Sequence, residues 1–194
     1  MKTKNVSTSS LLSEKTHPIV ELFFEYAQLK NLYRQGWLER GVSERDCETV
    51  AEHSFGVALL GYTIAEEYRP DLDSSRVMKL GLLHDVGEIY AGDITPKDNV
   101  SLEDKFQREH EAVMKIFSRL PNPDKYVKLW LESEKQTSPE ARFVNQIDRL
   151  EMALQAYLYE RISYRGLGDF FPYVQNVINS PELKPILDDI LKSR

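Results

Sequence analysis

The amino-acid sequence predicts an all-α protein, a single helical bundle. Three observations carry that expectation. Apolar residues recur at intervals of three and four in one segment after another. Most of these segments open on Ser, Thr, Asn or Pro, the residues that start helices. No segment alternates in the manner of a strand, and βαβ spacing is absent. At 194 residues the chain is the size of one domain. Residues 1–16 are polar and serine-rich and are expected to form a flexible N-terminal segment, leaving residues 17–194 as the helical domain.

In chain order, a first helix is expected from Pro18, with Ile19, Leu22, Phe23, Tyr26, Leu29 and Leu32 as its apolar stripe. The stretch YRQGWLERGVSERDCE, with two glycines and many charges, reads as a loop in which Arg34, Trp37 and Arg40 stand out. Thr49-Val50-Ala51-Glu52 has the form of a capping box and starts a second helix. Phe55, Val57, Ala58, Leu59, Tyr62, Ile64 and Ala65 make that helix apolar on more than one face, so it is expected to be central. A third helix begins at Ser74 or Ser75 and carries His84, Asp85 and Glu88 near its end, before a break at Gly92. Residues 92–100 read as a loop. A fourth helix runs from Ser101 to about Leu120, and a fifth from Asn122-Pro123 through Leu131. A long sixth has Ser138 as cap and Pro139 in its first turn, with Phe143, Ile147, Leu150, Leu154 and Leu158 facing the core. Residues 166–171 read as a turn, and a short last helix starts at Ser180-Pro181. The expectation is seven or eight helices.

Composition excludes several classes of function. A net charge of -6 does not fit a protein that binds nucleic-acid polymers through a basic stripe. It leaves room for a small anionic substrate if a bound cation inverts the local field. Cys47 is the only cysteine, so neither a disulfide framework nor a cysteine-cluster zinc site can form, and a reducing cytoplasmic setting is expected. No apolar run is long enough for a membrane span, and MKTKNVSTSSLLSEK lacks the apolar centre of a signal peptide.

The segment LGLLHDVGEIYAGDITP, residues 80–96, is where chemistry concentrates. His84 and Asp85 pair a neutral imidazole with a carboxylate, which suits a divalent metal. Glu88 follows one turn after His84 and can reach water on such an ion without being a ligand. Adjacent helical residues point about 100° apart, so His84 and Asp85 cannot enclose an ion alone. His53 in the second helix and Asp148 in the sixth are the candidates to complete the set, because Asp148 lies close to an apolar helix face and needs a partner there. Two histidines and two carboxylates suit one divalent ion, Mn²⁺, Co²⁺, Fe²⁺, Zn²⁺ or Mg²⁺, with positions left for water and substrate.

The ordered set His…His-Asp…Asp resembles the HD-domain metal-dependent phosphohydrolases. The segments VAEHSFGVALL, LGLLHDVGEIYAGDITP, KFQREHEAVMKI and NQIDRLEMALQA resemble the 5′-deoxynucleotidase branch of that superfamily. The resemblance implies a single HD-domain helical bundle that hydrolyses nucleoside 5′-monophosphates, with preference for deoxyribonucleotides, often as a homodimer. It implies His53, His84, Asp85 and Asp148 as metal ligands and Glu88 as the carboxylate that handles the attacking water. Asp93, Ile94, Thr95 and Pro96 match a substrate-contacting turn in which Asp93 assists catalysis, and Arg34 resembles an arginine that orients the phosphate. In the family pattern a tryptophan directly follows that arginine. Here Gln35 and Gly36 separate Arg34 from Trp37, which is expected to bind the substrate; selectivity against a ribose 2′-hydroxyl, if set by Trp37 or its neighbour, does not carry over with the altered spacing.

Other HD-type reactions remain as alternatives. Binuclear phosphodiesterases need additional histidines, and this chain has only four, of which His17 precedes Pro18 and His110 lies on a charged helix. A dNTP triphosphohydrolase or guanosine tetraphosphate hydrolase would need more basic residues around its polyphosphate. A non-catalytic nucleotide sensor would be expected to have lost a ligand or the glutamate.

Overall fold

A computed structural model describes residues 1–11 and 16–194. Its α-helices are α1 (Pro18–Leu29), α2 (Gln35–Leu38), α3 (Val50–Tyr68), α4 (Ser74–Leu83), α5 (Glu88–Ala91), α6 (Leu102–Phe117), α7 (Pro123–Lys135), α8 (Pro139–Ile162), α9 (Phe170–Val177) and α10 (Lys184–Ser193). Among the described residues β-structure is confined to two isolated bridges, Thr3 with Leu32 and Tyr33 with Thr49. The fold is all-α, as the periodicity predicts.

The bundle has two apolar cores. The first gathers Val57 and Ile64 of α3, Val77 and Leu80 of α4, Ile147, Leu150 and Tyr159 of α8, Phe171 of α9 and Leu187 of α10. The second gathers Leu29 of α1, Ile89 of α5, Val113 and Phe117 of α6, Trp130 of α7, and Val86 in the turn after α4. The helices α3, α4 and α8 pack against one another, and α7 touches both α4 and α8, which joins the two halves. Gly81 allows a close approach of the α4 and α3 backbones: a Cβ there would sit 2.9 Å from the Ala58 Cα. Any larger residue would push α4 off α3, and with it the pair His53 and His84.

Several boundaries differ from the sequence expectation. Helix α4 ends at Leu83 with His84 as its C-cap, so Glu88 opens a separate short helix instead of extending the third one. The stretch 33–48, read as loop, contains the short helix α2. Residues 166–171, read as a turn, lead into α9, whose Phe171 and Val174 fill the first core. The last helix begins at Lys184, after a turn at residues 181–183. Leu158, expected on the core face of α8, is half exposed, as are Phe55 and Leu59 on α3. The exposed apolar residues and the unforeseen α9 share one cause: periodicity records which residues are apolar, not which neighbouring element arrives to cover them.

Residues 1–11 also depart from a loosely attached segment. The Lys2 N–H donates to Gln35 Oε1 at 2.7 Å, the Lys4 N–H donates to the Asn31 carbonyl, and Thr8 Oγ1 donates to the Phe24 carbonyl. Residues 12–15, part of the same expectation, lie outside the described residues.

Candidate metal centre and active site

Four side chains from three long helices and one turn converge between the two cores. His53 lies in the first turn of α3, whose start is fixed by the expected capping box: Thr49 Oγ1 accepts from the Glu52 N–H, and the Glu52 carboxylate accepts from the Thr49 N–H. His84 caps α4, and its carbonyl accepts from Trp130 Nε1 at 3.1 Å. Asp85 follows it in the turn, and Asp148 projects from the middle of α8.

The donor atoms face one another. His84 Nε2 is 3.4 Å from His53 Nε2 and 3.2 Å from Asp85 Oδ2. His53 Nε2 is 3.6 Å from Asp85 Oδ2 and 3.3 Å from Asp148 Oδ1. A cation held by bonds of about 2.0–2.2 Å spaces its ligand atoms about 3–3.6 Å apart, so these separations are those of the edges around one ion. The far nitrogen of each ring is already bonded. His84 Nδ1 donates to the Gly81 carbonyl at 2.7 Å and His53 Nδ1 to Glu151 Oε2 at 2.6 Å, which leaves both Nε2 lone pairs turned toward the cluster. Asp148 Oδ1 is buried and makes no hydrogen bond among the described residues, despite its closeness to His53. A buried carboxylate oxygen facing two imidazole lone pairs calls for positive charge between them. His53, His84 and Asp148, joined by Asp85, thus form a site able to coordinate a divalent metal ion.

The electrostatics give the same result. Burial and Arg34 push the His53 pKa down, but Glu151 and Asp148 outweigh them and hold it up, at about 10. Burial likewise lowers His84 and is overcome by Asp85. Burial raises Asp85, but His84 and Arg34 hold it well below the usual carboxylate range; Asp148 is lowered in the same way, by Arg149 and His53. The carboxylates therefore draw positive charge onto the imidazoles, and a divalent ion would supply that charge in place of the protons and leave both rings neutral as ligands.

A second group lies beside this cluster. Arg34, the N-cap of α2, places its guanidinium 2.7 Å from Asp93 Oδ1, 3.5 Å from Asp85 Oδ2 and 3.9 Å from Glu88 Oε1. The Gln35 backbone N–H donates to the other oxygen of Asp93. Burial, reinforced by Asp85 and Asp93, raises the Glu88 pKa well above its ordinary value, and Glu88 Oε2 makes no hydrogen bond among the described residues.

Of the turn after Gly92, only Asp93 reaches this group. The Thr95 hydroxyl donates to Glu39 Oε1 and to Asp98, Ile94 is half-buried, and Pro96 is exposed. Trp37 is a correction. It is 2% exposed, its Nε1 donates to Glu48 Oε1 at 2.7 Å, and its ring packs on Tyr159 and Phe170. Three residues past Arg34 on a short helix, it faces the core. His110 packs in a group of three rings with Phe106 and Trp130, and His17 caps α1.

Sequence reasoning missed Glu151, Glu48 and Arg149, whose guanidinium is 3.4 Å from Asp148 Oδ2. For Glu151 a signal existed: it follows Asp148 by three residues and so shares its helix face. For Glu48, in an irregular stretch, none did.

Comparison with known proteins follows the same lines. A family model described as HD domain matches residues 26–182. The chain is 32% identical to 5′-deoxynucleotidase HDDC2 of Homo sapiens over 98% of its length and 93% of the relative's. It is 33% identical to 5′-deoxynucleotidase hdd1 of Schizosaccharomyces pombe, covering 93% and 92%. A crystal structure of the PH0347 protein from Pyrococcus horikoshii superposes with a TM-score of 0.74 at 30% identity, covering 90% of this chain and 99% of that one. With its all-helical fold and its His, His-Asp and Asp cluster in place, this chain belongs to the HD-domain metal-dependent phosphohydrolases, in their 5′-deoxynucleotidase branch.

Proposed function

We propose that the protein hydrolyses nucleoside 5′-monophosphates, deoxyribonucleotides in preference, to nucleoside and phosphate, with one divalent ion held by His53, His84, Asp85 and Asp148. The observation that carries this reading is the adjacency of two groups: a four-donor cluster at ligand spacing, and a guanidinium 3.5 Å from one of its carboxylates. A divalent ion held by these four residues would supply Lewis acidity toward a phosphate oxygen and a bound water. Arg34 orients the phosphate and stabilises charge on its equatorial oxygens, exchanging part of its pairing with Asp93 for the substrate. Glu88, whose pKa is raised by burial and by its acidic neighbours, is placed to hold a proton beside the reacting group, and its Oε2 makes no hydrogen bond among the described residues. Asp93 is fixed at both oxygens by Arg34 and the Gln35 N–H, and it sets where the guanidinium points before substrate arrives.

Substrate size follows from charge. A monophosphate carries close to −2 at neutral pH, about what one ion and Arg34 neutralise. A triphosphate brings more negative charge toward Asp93, so di- and triphosphates are expected to be far poorer substrates. The deciding experiment compares kcat/KM for dAMP, AMP and dATP under one metal condition, with products separated by chromatography. Faster dATP cleavage releasing tripolyphosphate would replace this reading with a triphosphohydrolase, whereas equal rates for dAMP and AMP would remove only the sugar preference.

Residues 17–194 are taken as one catalytic unit, preceded by the segment 1–16. The reading extends to a cytoplasmic homodimer. The exposed stripe Phe55, Leu59 and Tyr62 on α3 supports self-association, and light scattering coupled to gel filtration tests it. No helix among the described residues is long and apolar enough to cross a membrane.

A further inference from the structure

His53 is gripped at both nitrogens by the same helix. Asp148 of α8 faces its Nε2, and Glu151, three residues later on α8, accepts from its Nδ1 at 2.6 Å. Both His53 and Glu151 are buried. Space for the Glu151 carboxylate exists because residue 56, three after His53 on α3, is glycine. A Cβ there would lie 2.8 Å from Glu151 Oε1 and 3.2 Å from its Cγ. Behind this pair stands Glu48, with a carboxylate oxygen within 4.8 Å of the facing atoms of His53 and Glu151. Glu48 is itself held by Trp37 Nε1 at 2.7 Å, and its backbone N–H donates to the Tyr159 hydroxyl at 2.8 Å.

Glu48, His53 and Glu151 could be read as a second metal site, but the distances oppose it. The 2.6 Å between His53 Nδ1 and Glu151 is a hydrogen-bond length, shorter than the roughly 3 Å that separates atoms sharing an ion at ordinary bond lengths. One oxygen of Glu48 is also taken by Trp37.

We propose that Glu151, seated in the space left by Gly56 and backed by Glu48, is a positioning residue for His53: it holds the imidazole in the Nδ1–H tautomer and turns Nε2 toward the ion. This inference rests on the metal reading above and assigns a role to residues that do not touch the ion. A carboxylate behind a ligating histidine fixes the ring and raises its basicity, and losing such a partner commonly weakens metal binding about 10–100-fold.

The test is calorimetric titration of the full chain with Co²⁺, together with the visible absorption of the bound Co²⁺, which reports ligand geometry. Glu151→Ala is expected to weaken Co²⁺ binding about 10–100-fold and to alter the spectrum. Glu151→Gln, whose carbonyl still accepts from Nδ1–H, recovers most of that loss. Gly56→Ala leaves every polar group in place but crowds the carboxylate. It is expected to weaken Co²⁺ binding in the same direction while the metal-free protein stays folded by circular dichroism, since alanine is the better helix former. If Glu151→Ala does not fold, Glu151→Gln and Gly56→Ala carry the comparison. Wild-type Co²⁺ affinity in folded Glu151→Ala or Gly56→Ala overturns the positioning role while leaving the metal site standing. Two ions per chain, one of them lost in Glu48→Gln, overturns it in favour of a second site. Unchanged Co²⁺ binding in His53→Ala overturns the metal reading itself and this inference with it.

Discussion

The two halves of the site are built differently. The imidazole half hangs on long helices: His53 on the nineteen residues of α3, Asp148 on the twenty-four of α8, and His84 at the end of α4, with its carbonyl on Trp130. The guanidinium half is built from short pieces: Arg34 at the mouth of a four-residue helix, Glu88 at the start of another, and Asp93 in the turn that follows. Helices buried in a core hold ligand atoms at fixed spacing, which an ion requires. Short elements with charged side chains can shift by small amounts, which suits groups that must exchange partners when a phosphate arrives. The division predicts that metal retention and turnover separate in this protein.

The largest effect expected from that division is on the imidazole side. His53→Ala or Asp148→Ala should release the ion and bring nucleotide hydrolysis down to the detection limit, whereas His110→Ala should do neither. Elemental analysis alongside the assay checks this, and full metal occupancy in Asp148→Ala would break the assignment. On the other side, Glu88→Gln should keep the metal and lose turnover by about 10²–10⁴-fold, the range for a general acid or base. Arg34→Ala should keep the metal and lower kcat/KM for dAMP by about 10²-fold, as removal of one charge-stabilising donor does. Loss of metal in either variant would show that the halves are not separable.

A smaller effect tests the place of Trp37. Trp37→Phe keeps the packing on Tyr159 and Phe170 but leaves a buried oxygen of Glu48 without its donor, at a cost of about 1–3 kcal/mol. Denaturant melts should record that loss, while the ratio of kcat/KM for dAMP over AMP stays as in the parent. A changed ratio would return Trp37 to the substrate. The smallest effect concerns Cys47, beside the guanidinium half. Burial, with Glu48 and Asp93 adding to it, pushes its thiol up to about 12. The thiol should stay protonated and unreactive toward iodoacetamide at pH 8 until the protein is unfolded; alkylation of the native enzyme at the rate of a free thiol would show that this stretch opens.

Much of this was legible in the chain itself. Helical periodicity and start signals determine the all-α class and place His53, His84, Asp85 and Asp148 on helices or at their ends, because an amphipathic helix of three or more turns leaves a repeating record in its residues. Glu88 was readable from its place one turn after His84, and Asp93 from the resemblance of its turn to that of the family. The tertiary structure decided what lies between elements. Trp37 turned inward because Tyr159 and Phe170 arrive from distant parts of the chain to cover it. The stretch around Phe170 became helix because the first core needed Phe171 and Val174. Glu151 found His53, ninety-eight residues away, through the gap that a glycine leaves on a neighbouring helix. Local pattern reports the face a residue sits on; only packing decides which partner meets that face, because contacts between residues far apart in sequence have no period to betray them.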